Sequence, residues 1–214
     1  MVIPDGLSEA EARAFYDRYG RKLDWGEPFE GAAKRLALGR AAARPGERAL
    51  EVGIGCGHAL AHLVLEGAGL VVGVDLSRTM LDLGRRRAPQ ARLVRGSILR
   101  LPLAPGAFDL VLSSYLLDLL PLGDVDRALA ELARVVAPGG RVILCGLTLG
   151  ETLPQRAVMG LWSAIHRLSP ARVGGCRPLL LAPRLAAAGL DLVERVHVSQ
   201  LGVPSEVLVA RPRR

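Results

Sequence analysis

Residues 49–60 read ALEVGIGCGHAL, and this stretch limits what the chain can fold into more than any other. An apolar run broken only by Glu51 enters three glycines, Gly53, Gly55 and Gly57, and a helix-compatible segment at 58–66 follows without a spacer. The pattern predicts a strand, a tight turn and a helix start. Glycine tolerates positive φ and lets a ligand approach the main chain, while the unpaired N–H groups of a helix start favour an electron-rich ligand. The spacing is GxGxG, not the GxGxxG of dinucleotide sites, and His58 stands where a small residue would be needed for a pyrophosphate to approach. Alone, the triplet fits either a nucleotide-type binding loop or a plain structural turn.

The flanking sequence favours the first. Ser8, with Glu11 in the capping-box position, starts a helix over residues 7–20 that carries Phe15, Tyr16 and Tyr19, and a second helix over 29–43 stops before Pro45-Gly46. The loop between them holds Trp25. These aromatics either anchor the helices or form a lid over the ligand. Beyond the glycines, LVVGVDL is a continuous apolar run suited to a parallel strand covered on both faces, and it ends in Asp75. A carboxylate at the end of the second strand of a βαβ unit can accept from both hydroxyls of a ribose, and Ser77 already caps the next helix, 77–87.

Further strands are predicted at 91–96, 108–113 and 141–147, and a helix at 125–137, stopped by Pro138-Gly139-Gly140. The fourth strand has a polar tip of Ser113, Ser114 and Tyr115. The last third predicts helices at 153–168 and 179–188, then two strands, LDLVERVHVSQ and EVLVARP, joined as an antiparallel hairpin. The expected fold is α/β: a doubly wound, mostly parallel seven-stranded sheet with a C-terminal antiparallel hairpin. We expect an N-terminal helical lid at 1–44 and a main domain at 45–214, with a substrate cover near 150–180 built on Met159, Trp162 and Ile165.

Composition narrows the partners. The net charge is +7 and nearly all arginine, Lys22 and Lys34 being the lysines. The arginines are spread without interleaved aromatics, so nucleic acid is not expected, whereas an anionic acceptor or peripheral contact with a membrane surface suits the balance. Cys56, Cys145 and Cys176 lack zinc-ligand spacing and read as reduced thiols of a cytoplasmic protein. The N-terminal residues show no signal pattern, and no run of about 18 uncharged apolar residues occurs, so a transmembrane segment is not expected.

Four blocks, ALEVGIGCG, VVGVDLSRTML, LPLAPGAFDLVLSSYLL and ELARVVAPGGRVILCG, resemble in order and spacing the class I S-adenosylmethionine-dependent methyltransferases, in particular those related to quinone-biosynthesis and phospholipid N-methyltransferases. The resemblance implies S-adenosylmethionine as cofactor and a small-molecule, lipophilic or anionic methyl acceptor: a quinone-like ring, a phospholipid amine or a small metabolite. It assigns the methionine half of the cofactor to Glu51 and to Gly53, Gly55 and Gly57, the ribose to Asp75, and adenine packing to Leu76 and Met80. Ser113 would lie near the sulfonium, with Tyr16 or Tyr19 closing over it.

Two positions depart from the family pattern. An Asp that accepts from the adenine amino group is replaced by Ser97, leaving the serine oxygen or the Ile98 amide for that contact, and a histidine pair is replaced by Asp118 and Leu119. No metal site is expected. Methyl transfer needs chiefly an in-line approach in a dry site, and a base only where the acceptor must lose a proton. Base candidates are His58, His62, Tyr115, Asp118 and His166. Two alternatives stand beside the enzyme: a non-catalytic cofactor-binding subunit, suggested by the two departures, and a nicotinamide oxidoreductase, disfavoured by His58.

Overall fold

A computed structural model describes residues 5–20 and 27–213; the side chains of Tyr19, Glu27 and Pro28 fall outside it, so the expectations for Trp25 and Tyr19 lie beyond the described residues. Five strands of the sheet run parallel. They are β1 (Arg48–Val52), β2 (Leu70–Asp75), β3 (Arg92–Arg95) and β4 (Phe108–Ser114), followed by β5 (Val136–Leu147), and the hairpin β6 (Leu190–Gln200) and β7 (Val203–Pro212) completes the sheet. Their order is β3-β2-β1-β4-β5-β7-β6, with β7 antiparallel to both neighbours. The order reverses between β1 and β4, which opens a crevice at their carboxyl ends, where ligands of such sheets bind. The expected seven-stranded α/β sheet with its antiparallel hairpin is present.

Helices cover both faces because the central strands are apolar on both. One face packs α2 (Glu27–Ala41), α3 (His58–Leu65) and α4 (Arg78–Arg87) through Ala33, Ala37, Ala41, Leu60, Leu63 and Met80. The other packs α5 (Leu122–Val135), whose Val125, Leu129 and Leu132 are wholly buried. Across the carboxyl edge lies α1 (Glu9–Tyr19), started by Ser8 with the reciprocal Glu11 contacts of a capping box. The last long helix is α6 (Leu153–Leu168), capped in the same way by Thr152 and Gln155.

Two expectations are corrected. Residues 179–188 do not form an α-helix but two short 3-10 turns, Ala182–Arg184 and Ala186–Ala188. The amides that would start a helix are committed elsewhere, Leu179 N–H to Leu147 O and Leu181 N–H to a Glu206 carboxylate oxygen, and Pro183 has no N–H to give. The fifth strand does not begin after Pro138-Gly139-Gly140; α5 ends at Val135, and Val136 already pairs with Phe108. The Pro-Gly-Gly segment is a bulge inside β5, with Gly139 at φ +84°.

Gly57 shows why the first motif is spaced as it is. Its φ is +80°, and a Cβ there would stand 2.7 Å from the Cα of Gly84 on α4. Gly57→Ala is therefore expected to lower stability by about 3 kcal/mol through backbone strain and forced separation of α3 and α4, measurable as a reduced urea midpoint with an unchanged m-value.

Candidate functional site

The crevice opens into a cavity of about 900 Å³. Its floor is the glycine loop. Gly53 (φ +76°) donates its N–H to Val74 O at 2.8 Å, bending the chain off β1 toward β2. Gly55 (φ +50°) has nothing within 4 Å of where a Cβ would be, so its backbone faces open cavity.

Two carboxylates flank this floor. Glu51 is buried, and its Oε2 has no hydrogen-bond partner. Burial, reinforced by the charge of Asp75, raises its pKa well above the usual carboxylate range, while the Leu60 amide and the Lys34 charge oppose the rise. Asp75 accepts from the Ser77 amide at 2.8 Å, yet burial lifts its pKa to about 6 against that amide and those of Gly55, Ile54 and Leu76. A buried carboxylate with an orphaned oxygen is the complement of a cationic donor, and an ionised one accepts from hydroxyl donors. An ammonium at Glu51 and a vicinal diol at Asp75 match the two ends of an aminoacyl-nucleoside.

Of the eleven residues expected to hold the cofactor, Tyr16, Glu51, Gly53, Gly55, Asp75, Leu76, Ser97 and Ile98 line the cavity. Gly57, Met80 and Ser113 do not. Gly57 packs on α4, and Met80 is 1% exposed, in the core with Leu60 and Leu63 rather than on the cavity surface. Ser113 is buried with its Oγ unpartnered, because strand alternation turns it away while its neighbours Ser114 and Tyr115 face the cavity.

The base candidates divide similarly. His58 and Tyr115 line the cavity. Tyr115, at φ +53°, shares a 2.8 Å hydrogen bond between its hydroxyl and Ser205 Oγ, and burial holds its pKa far above the ordinary phenol value. His62 faces outward beside Glu66 at 3.3 Å. His166 donates from Nε2 to Gly175 O at 3.0 Å, and burial depresses its pKa. Asp118 accepts the Leu147 amide at 2.9 Å and is raised by burial to about 7, bracing the loop after β4 rather than touching the cavity.

Sequence reading missed the cavity-facing charges of α2. Glu30 and Lys34 pair at 2.7 Å, and the Lys34 Nζ lies 5.4 Å from the centre of the Tyr115 ring. Two charges one helical turn apart on an otherwise alanine-rich helix were the available signal. Arg35 and Arg172 also line the cavity, beside apolar walls from Phe29, Leu38, Trp162, Ile165 and Val173. Trp162 is fixed by its Nε1–H donating to Cys176 O at 2.9 Å, and Tyr16 donates its hydroxyl to Gly174 O at 3.2 Å. Met159 lies wholly buried under this wall.

Sheet order, glycine floor and paired carboxylates together make a nucleoside-type binding site on a sheet similar to that of the class I methyltransferases. Residues 50–144 match the family described as Methyltransferase domain, just under half of the chain. The chain is 36% identical over 129 residues to a demethylmenaquinone methyltransferase of Beutenbergia cavernae, covering 60% of this chain and 52% of that protein. It thus spans about half the length of the curated relatives it matches. In fold it is similar to the [4+2]-cyclase SpnF, with a TM-score of 0.75 and 17% identity over 99% of this chain and 98% of that one. It is also similar to a Burkholderia thailandensis 1,6-didemethyltoxoflavin-N1-methyltransferase with bound 1,6-didemethyltoxoflavin and S-adenosylhomocysteine, with a TM-score of 0.71 and 19% identity over 99% and 95%. The resemblance seen in the sequence holds, and S-adenosylmethionine is the cofactor of this domain.

The Asp75 environment sets a pH dependence. An ionised carboxylate accepts hydroxyl donors, so a diol ligand at Asp75 would require proton loss for binding below about pH 6. S-adenosylhomocysteine affinity is expected to fall as pH drops from 7 to 5, by up to about tenfold per unit for one proton. In calorimetry, Asp75→Asn is expected to bind more weakly at pH 7 and to lose the step near pH 6.

Proposed function

We propose that the protein transfers the methyl group of S-adenosylmethionine to a small lipophilic acceptor with an acidic hydroxyl, a quinol-like ring suiting the cavity best. The observation that carries this reading is the two-part lining of one cavity: carboxylates and glycine backbone at one end, aromatic and aliphatic walls with cations at the other. Lys34, Arg35 and Arg172 at the acceptor end favour an oxyanion and oppose an ammonium, which argues against a phospholipid amine. The name of the Beutenbergia cavernae relative points to the same class of acceptor.

Eight of the expected residues support the placement of the cofactor: Glu51, Gly53 and Gly55 at its methionine half, Asp75 at its ribose, Leu76, Ser97 and Ile98 around its adenine, and Tyr16 above the sulfonium. When bound, it supplies an electrophilic methyl group. The chain's contribution is positioning and exclusion of water. Trp162 and Ile165 form a flat wall for a ring, and Lys34 is placed to hold its oxyanion. Glu30, whose charge is felt by Tyr16, Tyr115 and Cys176, is placed to take the hydroxyl proton.

With labelled S-adenosylmethionine, methyl transfer to a naphthoquinol is expected and transfer to phosphatidylethanolamine is not; the reverse result would sink the quinol reading. Trp162→Ala is expected to raise the acceptor KM about tenfold, through lost aromatic packing, with S-adenosylhomocysteine affinity unchanged.

A lipophilic acceptor also gives meaning to the outer face of α6. Leu153, Leu161 and Leu168 are 80%, 65% and 88% exposed, Arg156 and Arg167 stand beside them, and the helix has no acidic residue. Among the described residues no helix is long and apolar enough to cross a membrane. We read this face as a peripheral contact with anionic lipid. Co-sedimentation with phosphatidylglycerol vesicles is expected, with little on phosphatidylcholine, and is expected to be lost in the Leu161→Glu/Leu168→Glu protein.

A further inference from the structure

Helix α1 lies over the cavity held by polar contacts, and one of them places a carboxylate in it. Asp17, which does not line the cavity, accepts from Ser77 Oγ at 2.6 Å, and Tyr16, which does, gives its hydroxyl proton to Gly174 O. Glu9 lines the cavity and accepts a hydrogen bond from Ser97 Oγ, which lines it too. Ser97 is partly committed, since its proton goes to Glu9 and one lone pair of its oxygen accepts the Leu99 amide at 2.9 Å. The Glu9 carboxylate retains further lone pairs beside Leu76, Ser97 and Ile98.

Four carboxylates line the cavity among the described residues: Glu9, Glu30, Glu51 and Asp75. Glu30 is paired with Lys34, Glu51 lies toward the methionine end, and Asp75 is at the ribose position. With the ribose at Asp75, the base extends toward Leu76 and Ile98, and its exocyclic amino group brings two N–H donors that need an acceptor there. We propose that Glu9 is that acceptor: the lid helix itself reads the amino group of adenine, so that the cofactor's base clasps α1 onto the core. This inference rests on the cofactor placement proposed above.

The consequence is an order of assembly. α1 has no fully buried side chain among those described, so it belongs to the part of the molecule that opens most easily. The bound cofactor adds a charge-assisted contact to it and thereby positions Tyr16 over the acceptor wall.

The test compares S-adenosylhomocysteine with S-inosylhomocysteine, whose base carries an oxo group in place of the amino group, by calorimetry on the full chain. The unaltered protein is expected to prefer the adenosyl ligand. Glu9→Ala is expected to weaken that ligand about tenfold and to shrink the preference, Glu9→Gln to weaken it less, and Glu9→Ala/Ser97→Asp to restore it to within about threefold. Hydrogen exchange in residues 9–19 is expected to slow on adding S-adenosylhomocysteine, and in Glu9→Ala not to respond. Equal loss for both ligands, or no loss for either, would overturn the role of Glu9. Failure of the unaltered protein to bind S-adenosylhomocysteine at all would instead overturn the cofactor placement on which it stands.

Discussion

Two acidic side chains, Glu51 and Asp75, lie at the ends of adjacent parallel strands and face one cavity, with one Glu51 oxygen left without a donor. The pairing of Glu51 with Gly73 and of Val52 with Val74 fixes how close the two strand ends are, so neither carboxylate can move away without breaking the sheet. Burial raises both pKa values, and the charge of Asp75 raises that of Glu51 further. The protein therefore keeps two carboxyl groups in a setting that disfavours their ionised forms, and a ligand bearing an ammonium and a diol would relieve it. Stability stored elsewhere in the sheet makes this arrangement tolerable.

The surrounding elements differ in how firmly they are held. α2 is a fixed wall: its alanine face packs against the sheet, and Arg141 fastens its end by donating to Ala41 O at 2.9 Å and to Glu47 at 2.8 Å. α6 is stitched to the segment after it by Trp162 and His166. α1 touches the core mainly through hydrogen bonds, at Leu7, Glu9, Tyr16 and Asp17. Such contacts exchange readily with water and contribute little net stability, about 1 kcal/mol each, which suits an element that opens and closes.

The sheet was legible in the sequence because apolar runs of strand length alternate with helical periods, and β6 and α6 appear with the limits the pattern implies. Where the reading failed, a tertiary contact outweighed a local preference. Residues 179–188 have helix-forming composition, but their first amides bond to β5 and to Glu206 instead. Ser113 and Ser114 look alike in sequence, and only the strand register decides which of them faces the cavity. Met80 has the right spacing to lie near the cofactor, but it points into the core at the level of Leu60 and Leu63.

Glu9 illustrates the same limit from the other side. In sequence it is an ordinary acidic residue in the first turn of a helix, where the helix dipole is reason enough for it. Ser97 reads as the loss of an acidic group from the end of β3. Only the folded chain brings the two within hydrogen-bond reach across 88 residues of sequence. A deficit on the scaffold and a surplus on the lid then become one site, and the carboxylate has moved from an element that cannot open to one that can. The same chemistry placed on a rigid loop would bind the base equally in open and closed states; placed on α1 it binds only in the closed one, so binding and closure share one free energy.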